Sequence, residues 1–457
     1  MRSQEDKGDK VDLGDKVEKM PLCPPAHLLT CSPAPKSPPS PRPVAIDLFA
    51  GAGGFSLGIE QAGFDVLVAV EYDPIHAAVY AFNFPLTKVL CVDVTTLSAE
   101  AIKEAAARAY KYHYPQAAQD WNGQIDLVFG GPPCQGFSIK GKRRINDERN
   151  SLILEFYRLV TELSPRYFVM ENVPGMAMGK HQIWLQQLEN LFTQAGYKVQ
   201  TQVLNAADFG VPQQRRRLFF IGSQADIHSV GLPKKLGLKR VTVGEAIADL
   251  PDLDEFSELL RTDEVLLSKS QLQQMQQLAS SYAQILRGEL SEVENFSYPR
   301  LWNSGLLTSS MRTQHNEDSI NRFTATLPNQ RELTSHLRRL DNNGLCHTLR
   351  AGTGKERGSY TSPRPIHPTQ PRVISVREAA RLHSFPDWFR LHQTKWHGFR
   401  QVGNAVPPLL GRGIGSQIIA TLDIVPKLSV SPLKLGDPYL LRLNRSEAIH
   451  YWKSFDF

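Results

Sequence analysis

Between Val44 and Ile221 short apolar runs alternate with segments of helical spacing, and this alternation constrains the chain more than any other feature. Strands are predicted at 44–49, 66–70, 88–92, 125–129, 167–170, 198–204 and 218–221, and helices at 55–62, 75–82, 99–110, 152–163 and 183–194. The last helix carries Trp184, Leu188, Leu191 and Phe192 on one face. Parallel strands need crossover connections, so the pattern predicts an α/β fold with a doubly wound, mostly parallel sheet. Ligands of such sheets lie beyond the carboxyl ends of the strands. Those ends are therefore where the chemistry is sought.

The run 125–129 ends at Gly130 and Gly131, after which Pro132 and Pro133 fix the backbone and present Cys134. A lone cysteine is commonly a small buried hydrophobe. A strand-end loop flanked by proline, glycine and lysine is a poor core site, so Cys134 is read as a nucleophile. The first strand runs into FAGAGGFSLG, where Gly51, Gly53 and Gly54 permit a tight turn and the close approach of a ligand. Ser56 stands where a dinucleotide loop would want glycine, so the loop alone indicates only an adenosine-like ligand. Glu71 ends the second strand at the position where an acid commonly takes ribose hydroxyls, and Asp93 follows the third in the same way. Either could be a solvated strand-end acid, but together with the glycine loop they suggest a nucleoside pocket. Glu171 ends the fifth strand; it is a candidate proton donor there, or a plain turn carboxylate. Arg215, Arg216 and Arg217 lead into the last strand, and alternation would send Arg215 and Arg217 to one side.

With 457 residues the chain has room for two domains, and a formal charge of +6 is compatible with nucleic acid without requiring it. Cysteines at 23, 31, 91, 134 and 346 form no CxxC pair, which argues against a zinc cluster or a disulfide framework and fits a reducing cytosol. No metal is expected. No apolar stretch reaches membrane-spanning length, so a cytoplasmic protein is expected. Residues 1–43, first alternately charged and then rich in proline and serine, read as a disordered tail. Between 222 and 371 the alternation stops. There 270–286 reads as one amphipathic helix with Leu272, Met275, Ala279, Tyr282 and Ile285 on a face, and 335–368 is rich in Arg, His, Gly and Thr. A surface loop is the default for such a composition, and a base-reading region is preferred here. A helix follows at 376–385 with Ala380 and Leu382 inward, then a turn at 404–408 opening a helix through Ile419, in which Asn404 could be an ordinary N-cap. A C-terminal tail holds a short helix near 446–452.

The segments DLFAGAGGFSLG, VEYD, VDV, GGPPCQGFS, MENVPGM, QQRRRLFFIG, SVREAARLHSFPDWF and QVGNAVPP occur in this order. In them the chain resembles the DNA (cytosine-5)-methyltransferases of bacterial type. The resemblance implies a Rossmann-like catalytic domain at 44–228, a smaller target-recognition domain at 229–400, a return segment at 401–425 and a C-terminal extension at 426–457. It implies S-adenosyl-L-methionine as methyl donor, its ribose on Glu71 and its adenine on Asp93, within a wall of Phe49, Ala50, Gly51, Gly53, Gly54, Tyr72, Val94, Pro133, Asn404 and Val406. Cys134 would attack C6 of a cytosine flipped out of double-stranded DNA, Glu171 would protonate N3, and Arg215 and Arg217 would hold the base near O2. Gln135, Ser138, Lys140, Lys142, Arg143, Arg338, Arg339 and Arg350 would touch DNA. A monomer with a companion restriction endonuclease is the expected setting. An inactive DNA-binding relative is disfavoured because Cys134, Glu171 and Arg217 are all present. An RNA methyltransferase fits the long region 222–371 less well, and a nicotinamide-dependent oxidoreductase would leave Cys134 unexplained.

Overall fold

The computed structural model describes residues 42–115, 121–133, 151–179, 181–231, 233, 239–353, 364–429 and 431–455. Its centre is a sheet of β1 (Val44–Leu48), β2 (Asp65–Val70), β3 (Lys88–Leu90), β4 (Leu127–Gly130), β5 (Tyr167–Asn172), β6 (Tyr197–Asn205) and β8 (Arg216–Gln224), in the order β3-β2-β1-β4-β5-β8-β6. The two-residue strand β7 (Gln213–Gln214) stands apart and pairs with Cys346–His347. The pairings among β1 to β5 are parallel, whereas β8 is antiparallel to both β5 and β6. The chain passes from β6 to β8 without a crossover helix, and only a crossover could have made that pair parallel. The fold is thus α/β with a mostly parallel sheet of the Rossmann-like methyltransferase type.

β1 and β2 are buried along their whole length because both faces of the sheet are covered. On one face lie α3 (Ala99–His113), α4 (Ser151–Leu163) and α5 (His181–Gln194), whose Ile102, Phe156, Leu188 and Phe192 meet Leu67, Val128 and Phe168. On the other, α1 (Gly54–Ala62) is crossed by α12 (Pro408–Thr421) so closely that a Cβ on Gly58 would stand 2.4 Å from the Pro408 carbonyl oxygen. α2 (Pro74–Asn83) packs in a further core with Phe385, Phe389 and Trp452.

Several expectations needed correction. The single helix expected at 270–286 is two, α7 (Lys269–Leu278) and α8 (Ser281–Leu286). Ala279 is extended and the Ser280 hydroxyl accepts from the Ala283 N–H, starting a new helix rather than continuing the old one. The helix expected at 376–385 is α10 (Val376–Arg381), ended before Ser384 takes a positive φ of 65°. Asn404 is not an N-cap: it ends α11 (Lys395–Asn404), which the sequence reading missed, and Pro407 precedes α12. Arg42, placed in the tail by the sequence, is buried beside Asp65 at 3.6 Å. The short C-terminal helix exists as α13 (Arg445–Lys453), anchored by a 2.9 Å bond from Trp452 Nε1 to the Pro74 carbonyl. Among the described residues no helix is long and apolar enough to cross a membrane.

Candidate active site

A cavity of about 1220 Å³ opens beyond the carboxyl ends of β1, β2, β4 and β5. At one end stands Glu71, with each carboxylate oxygen already aimed: Oε2 accepts from the Gly51 N–H at 2.7 Å and Oε1 from the Asp73 N–H at 2.8 Å. Burial pushes its pKa up, partly countered by His76 and by these two N–H groups. Deeper in the wall, burial raises the pKa of Asp47 well above the usual range despite a hydrogen bond from the Ser56 hydroxyl. The chain leaves β1 through positive φ values at Phe49 (65°), Gly51 (59°) and Gly53 (98°). The three glycines of this turn do different jobs, which corrects the expectation that all three make room for a ligand. Only at Gly51 would an added Cβ meet open space. At Gly53 it would strike the Phe84 ring at 2.3 Å, and at Gly54 the Val406 carbonyl at 2.7 Å, so these two serve packing. Gly53 does not line the cavity, whereas Phe49, Ala50, Gly51, Gly54, Tyr72, Asp93, Val94, Pro133, Asn404 and Val406 do. Asp93 also caps its own turn, accepting from the Thr95 N–H at 3.0 Å. Tyr72 sits at the lip, 67% exposed.

At the other end Glu171 Oε1 pairs with Arg217 Nε at 2.7 Å, both side chains largely buried. Glu171 lies over the strand-end loop, since a Cβ on Gly131 would stand 3.0 Å from its Oε2. Asn172 fixes the same loop through a 3.2 Å bond from Nδ2 to the Pro132 carbonyl. Pro133 lines the cavity and the chain then enters Cys134. Cys134, Gln135, Ser138, Lys140, Lys142 and Arg143 lie outside the described residues.

Arg215 and Arg217 both line the cavity, but their guanidinium groups have different partners. Arg215 is fully buried and donates to three backbone carbonyls, those of Leu349 (3.0 Å), Gly403 (2.8 Å) and Ala405 (2.9 Å). Burial and the neighbouring Arg217 charge hold its pKa well below the ordinary arginine value. It is a staple between the loop at 349 and the end of α11, with Arg217 left to face Glu171. Arg339 is also tied to backbone, donating to the carbonyls of Phe323 (2.8 Å), Thr326 (3.1 Å) and Pro368 (3.1 Å). Arg338 bonds to the Asn329 carbonyl, and Arg350 is exposed.

The sequence reading missed Asp47, His76, Trp396, His397, Arg400 and Arg445, all of which line the cavity. Most of these come from α11 and α13, whose spacing is too short or too polar to read as a wall. The one available signal was the acid in the DLF segment.

A family model described as C-5 cytosine-specific DNA methylase matches residues 44–420. Type II methyltransferase M.XorII of Xanthomonas oryzae pv. oryzae is 47% identical over 409 residues, covering 89% of this chain and 92% of that protein. M1.HphI of Haemophilus parahaemolyticus is 34% identical, covering 82% and 86%. Among solved structures, an E. coli prophage-encoded protein described as a DNA modification methyltransferase superposes with a TM-score of 0.65 at 34% identity, covering 84% of this chain and all of that one. With the family model matching most of its length and the strand-end cavity in place, the chain belongs to the C-5 cytosine-specific DNA methylases and is a DNA cytosine-5 methyltransferase.

Proposed function

We propose that this enzyme transfers a methyl group from S-adenosyl-L-methionine to C5 of a cytosine flipped out of duplex DNA, in one short sequence context, as the modification partner of a restriction endonuclease. The observation that carries the reading is the two-ended cavity: an oriented acid, Glu71, at one end and the Glu171–Arg217 pair at the other, with Pro133, the residue before Cys134 in the sequence, among the residues that line it. Its volume exceeds the range of about 300–1,000 Å³ common for a single small ligand, which leaves room for a nucleoside and a base together.

The residues present fit the donor. Glu71 is fixed by two N–H groups at the strand end where acids take ribose hydroxyls, and Phe49, Val92, Val94 and Pro133 supply an apolar wall. The electron-rich carboxylates suit a cationic sulfonium. When bound, the donor supplies an electrophilic methyl group. Cytosine C5 is too weak a nucleophile to take it unaided, so the Cys134 thiolate adds to C6 and pushes electron density toward C5. Glu171 holds a proton at N3 as the ring accepts that charge, and Arg217 fixes the carboxyl in position. After methylation, loss of the C5 proton returns the electron pair to the ring and expels Cys134. Arg215 acts as a positioning residue by holding the segment 403–405 against the cavity. Residues 229–400 serve target recognition and 401–425 complete the catalytic domain, in a monomer that works on DNA in the cytoplasm. The names of the type II relatives support the modification role.

The test is to incubate the full chain with radiolabelled S-adenosylmethionine and either duplex DNA or tRNA. Label is expected on duplex DNA. Label on tRNA alone would overturn the substrate, and DNA binding without transfer would overturn the activity.

A further inference from the structure

The side chains of α11 divide between two faces. Trp396 and Arg400 line the cavity, whereas Lys395 and Phe399, each one residue earlier and one helical turn apart, meet Arg364. The Arg364 guanidinium lies over the Phe399 ring at 5.6 Å and its Nη1 donates to Thr313 Oγ1 at 3.0 Å. Lys395 Nζ donates to that same oxygen at 3.2 Å and to the Arg312 carbonyl at 2.9 Å. Two cationic heads that share one oxygen stand closer than the screening length of about 8 Å at physiological salt, so they repel. Both are also partly buried, and burial disfavours the charged form.

An acid normally offsets such a cost. Among the described residues no carboxylate pairs with either group. Asp254, which acts on the neighbouring His315, is taken by Arg312 at 2.8 Å, and Glu378 by Arg372 at 2.7 Å. Burial alone drives the Arg364 pKa down; burial and the Arg364 charge do the same to Lys395. His315, facing both, is held toward its neutral form by burial and by their charges. Two half-desolvated cations with no carboxylate partner among the described residues are arranged to receive an anion.

We propose that Arg364 and Lys395 form a clamp for one backbone phosphodiester of duplex DNA. The assignment rests on the reading that this chain acts on DNA. The clamp lies on the stripe of the same helix next to the cavity-lining one, Lys395 and Phe399 each preceding Trp396 and Arg400 by one residue, and a helix with its side chains is about 10–12 Å across. A strand that turns a base into the cavity thus has a neighbouring phosphate within reach of the pair. The guanidinium offers a flat fork and the ammonium a compact charge, two complementary ways to hold phosphate oxygens.

The experiment uses the full chain and a fluorescent duplex, with anisotropy read from 50 to 200 mM NaCl. The double variant Arg364→Gln, Lys395→Gln is expected to weaken binding several-fold and to reduce the slope of log affinity against log salt by about 0.9, the counterion release of one phosphate. Binding of S-adenosylhomocysteine by calorimetry should not change, because neither residue lines the cavity. Lys395→Met, which keeps the aliphatic stem, should reproduce part of the loss and guards against a packing defect. Unchanged affinity and slope would overturn the clamp. Failure of the unaltered chain to bind DNA would instead remove the DNA reading beneath it. Thermal stabilisation of the unaltered chain by inorganic phosphate at constant ionic strength, absent in the double variant and accompanied by unchanged DNA affinity and salt slope, would assign the pair to a free anion and overturn the DNA assignment.

Discussion

Glu171 and Arg217 meet at 2.7 Å, the carboxylate from the end of β5 and the guanidinium from the start of β8, two antiparallel neighbours. Sheet register brings them together: Asn172 stands opposite Leu218, so residues 171 and 217 project from the same corner. General acid catalysis contributes about 10²–10⁴-fold. Glu171→Gln should lower kcat by an amount in that range while leaving S-adenosylhomocysteine binding intact. Arg217→Lys should fall between the parent and Arg217→Ala, since a lysine keeps the charge but not the planar fork. Single-turnover rates on a duplex substrate check both; a kcat within twofold of the parent for Glu171→Gln would end the proton-transfer role.

Cys134→Ser should abolish methyl transfer, because a hydroxyl is a far weaker nucleophile than a thiolate at neutral pH. With duplex DNA carrying 5-fluorocytosine the unaltered enzyme should form a covalent complex that survives denaturing electrophoresis, since fluorine cannot leave as a proton does. The serine variant should form none.

Both oxygens of Glu71 are held by backbone N–H groups, so its loss should act on the methyl donor rather than on DNA. A hydrogen bond to a charged group is worth about 1.5–3 kcal/mol, so Glu71→Ala should weaken donor binding by roughly 10- to 100-fold. Calorimetry with S-adenosylhomocysteine reads this directly. DNA affinity in the absence of donor should stay as it was.

His367 gives the small β-bridged region a sensitivity to acid. Its Nδ1 accepts from the backbone N–H groups of Thr369 (3.2 Å) and Gln370 (3.0 Å), which requires that nitrogen to be unprotonated. Burial drives its pKa down to about 4, against the pull of Glu378. Burial would raise the pKa of Glu378, but Arg372 above all, with His367, brings it down to about 2. Both folded-state values lie below those of the unfolded chain, so the stability they contribute is present at neutral pH and lost on acidification. The melting temperature should fall as pH drops from about 6.5 toward 4. His367→Gln should be less stable at pH 7 and show a shallower decline, measurable by thermal unfolding across buffers.

Genomic DNA from cells expressing the protein should show, by bisulfite sequencing, modified cytosines confined to one short context. Modification scattered without context would remove target recognition from residues 229–400.

The sheet was legible because each buried strand is an apolar run closed by turn residues, and the strand-end acids Glu71 and Asp93 could be placed by position alone. The wall contributed by α11 was not. Its inward residues, Trp396, Arg400 and Gly403, form no apolar stripe, and helical periodicity has nothing to register. Arg215 and Arg339 show a related limit. A run of arginines looks like a ligand-binding set, yet the carbonyls that occupy Arg215 come from segments far along the chain, and those that occupy Arg339 from turns on either side of it that have no regular pattern in the sequence. Gly53 and Gly54 are expected from the sequence to admit a ligand, but the close neighbours they admit are Phe84 and Val406, visible only once the chain has folded.

The contact of Gly54 with the Val406 carbonyl bears on how the enzyme is made. A ribosome that has released the chain as far as Gln224 has delivered every strand of the sheet, but not yet the residues that shut its ligand chamber. The nascent sheet therefore has an open ligand side until residues 394–406 have been made. Maturation waits on one long-range closure, the slow kind of folding step.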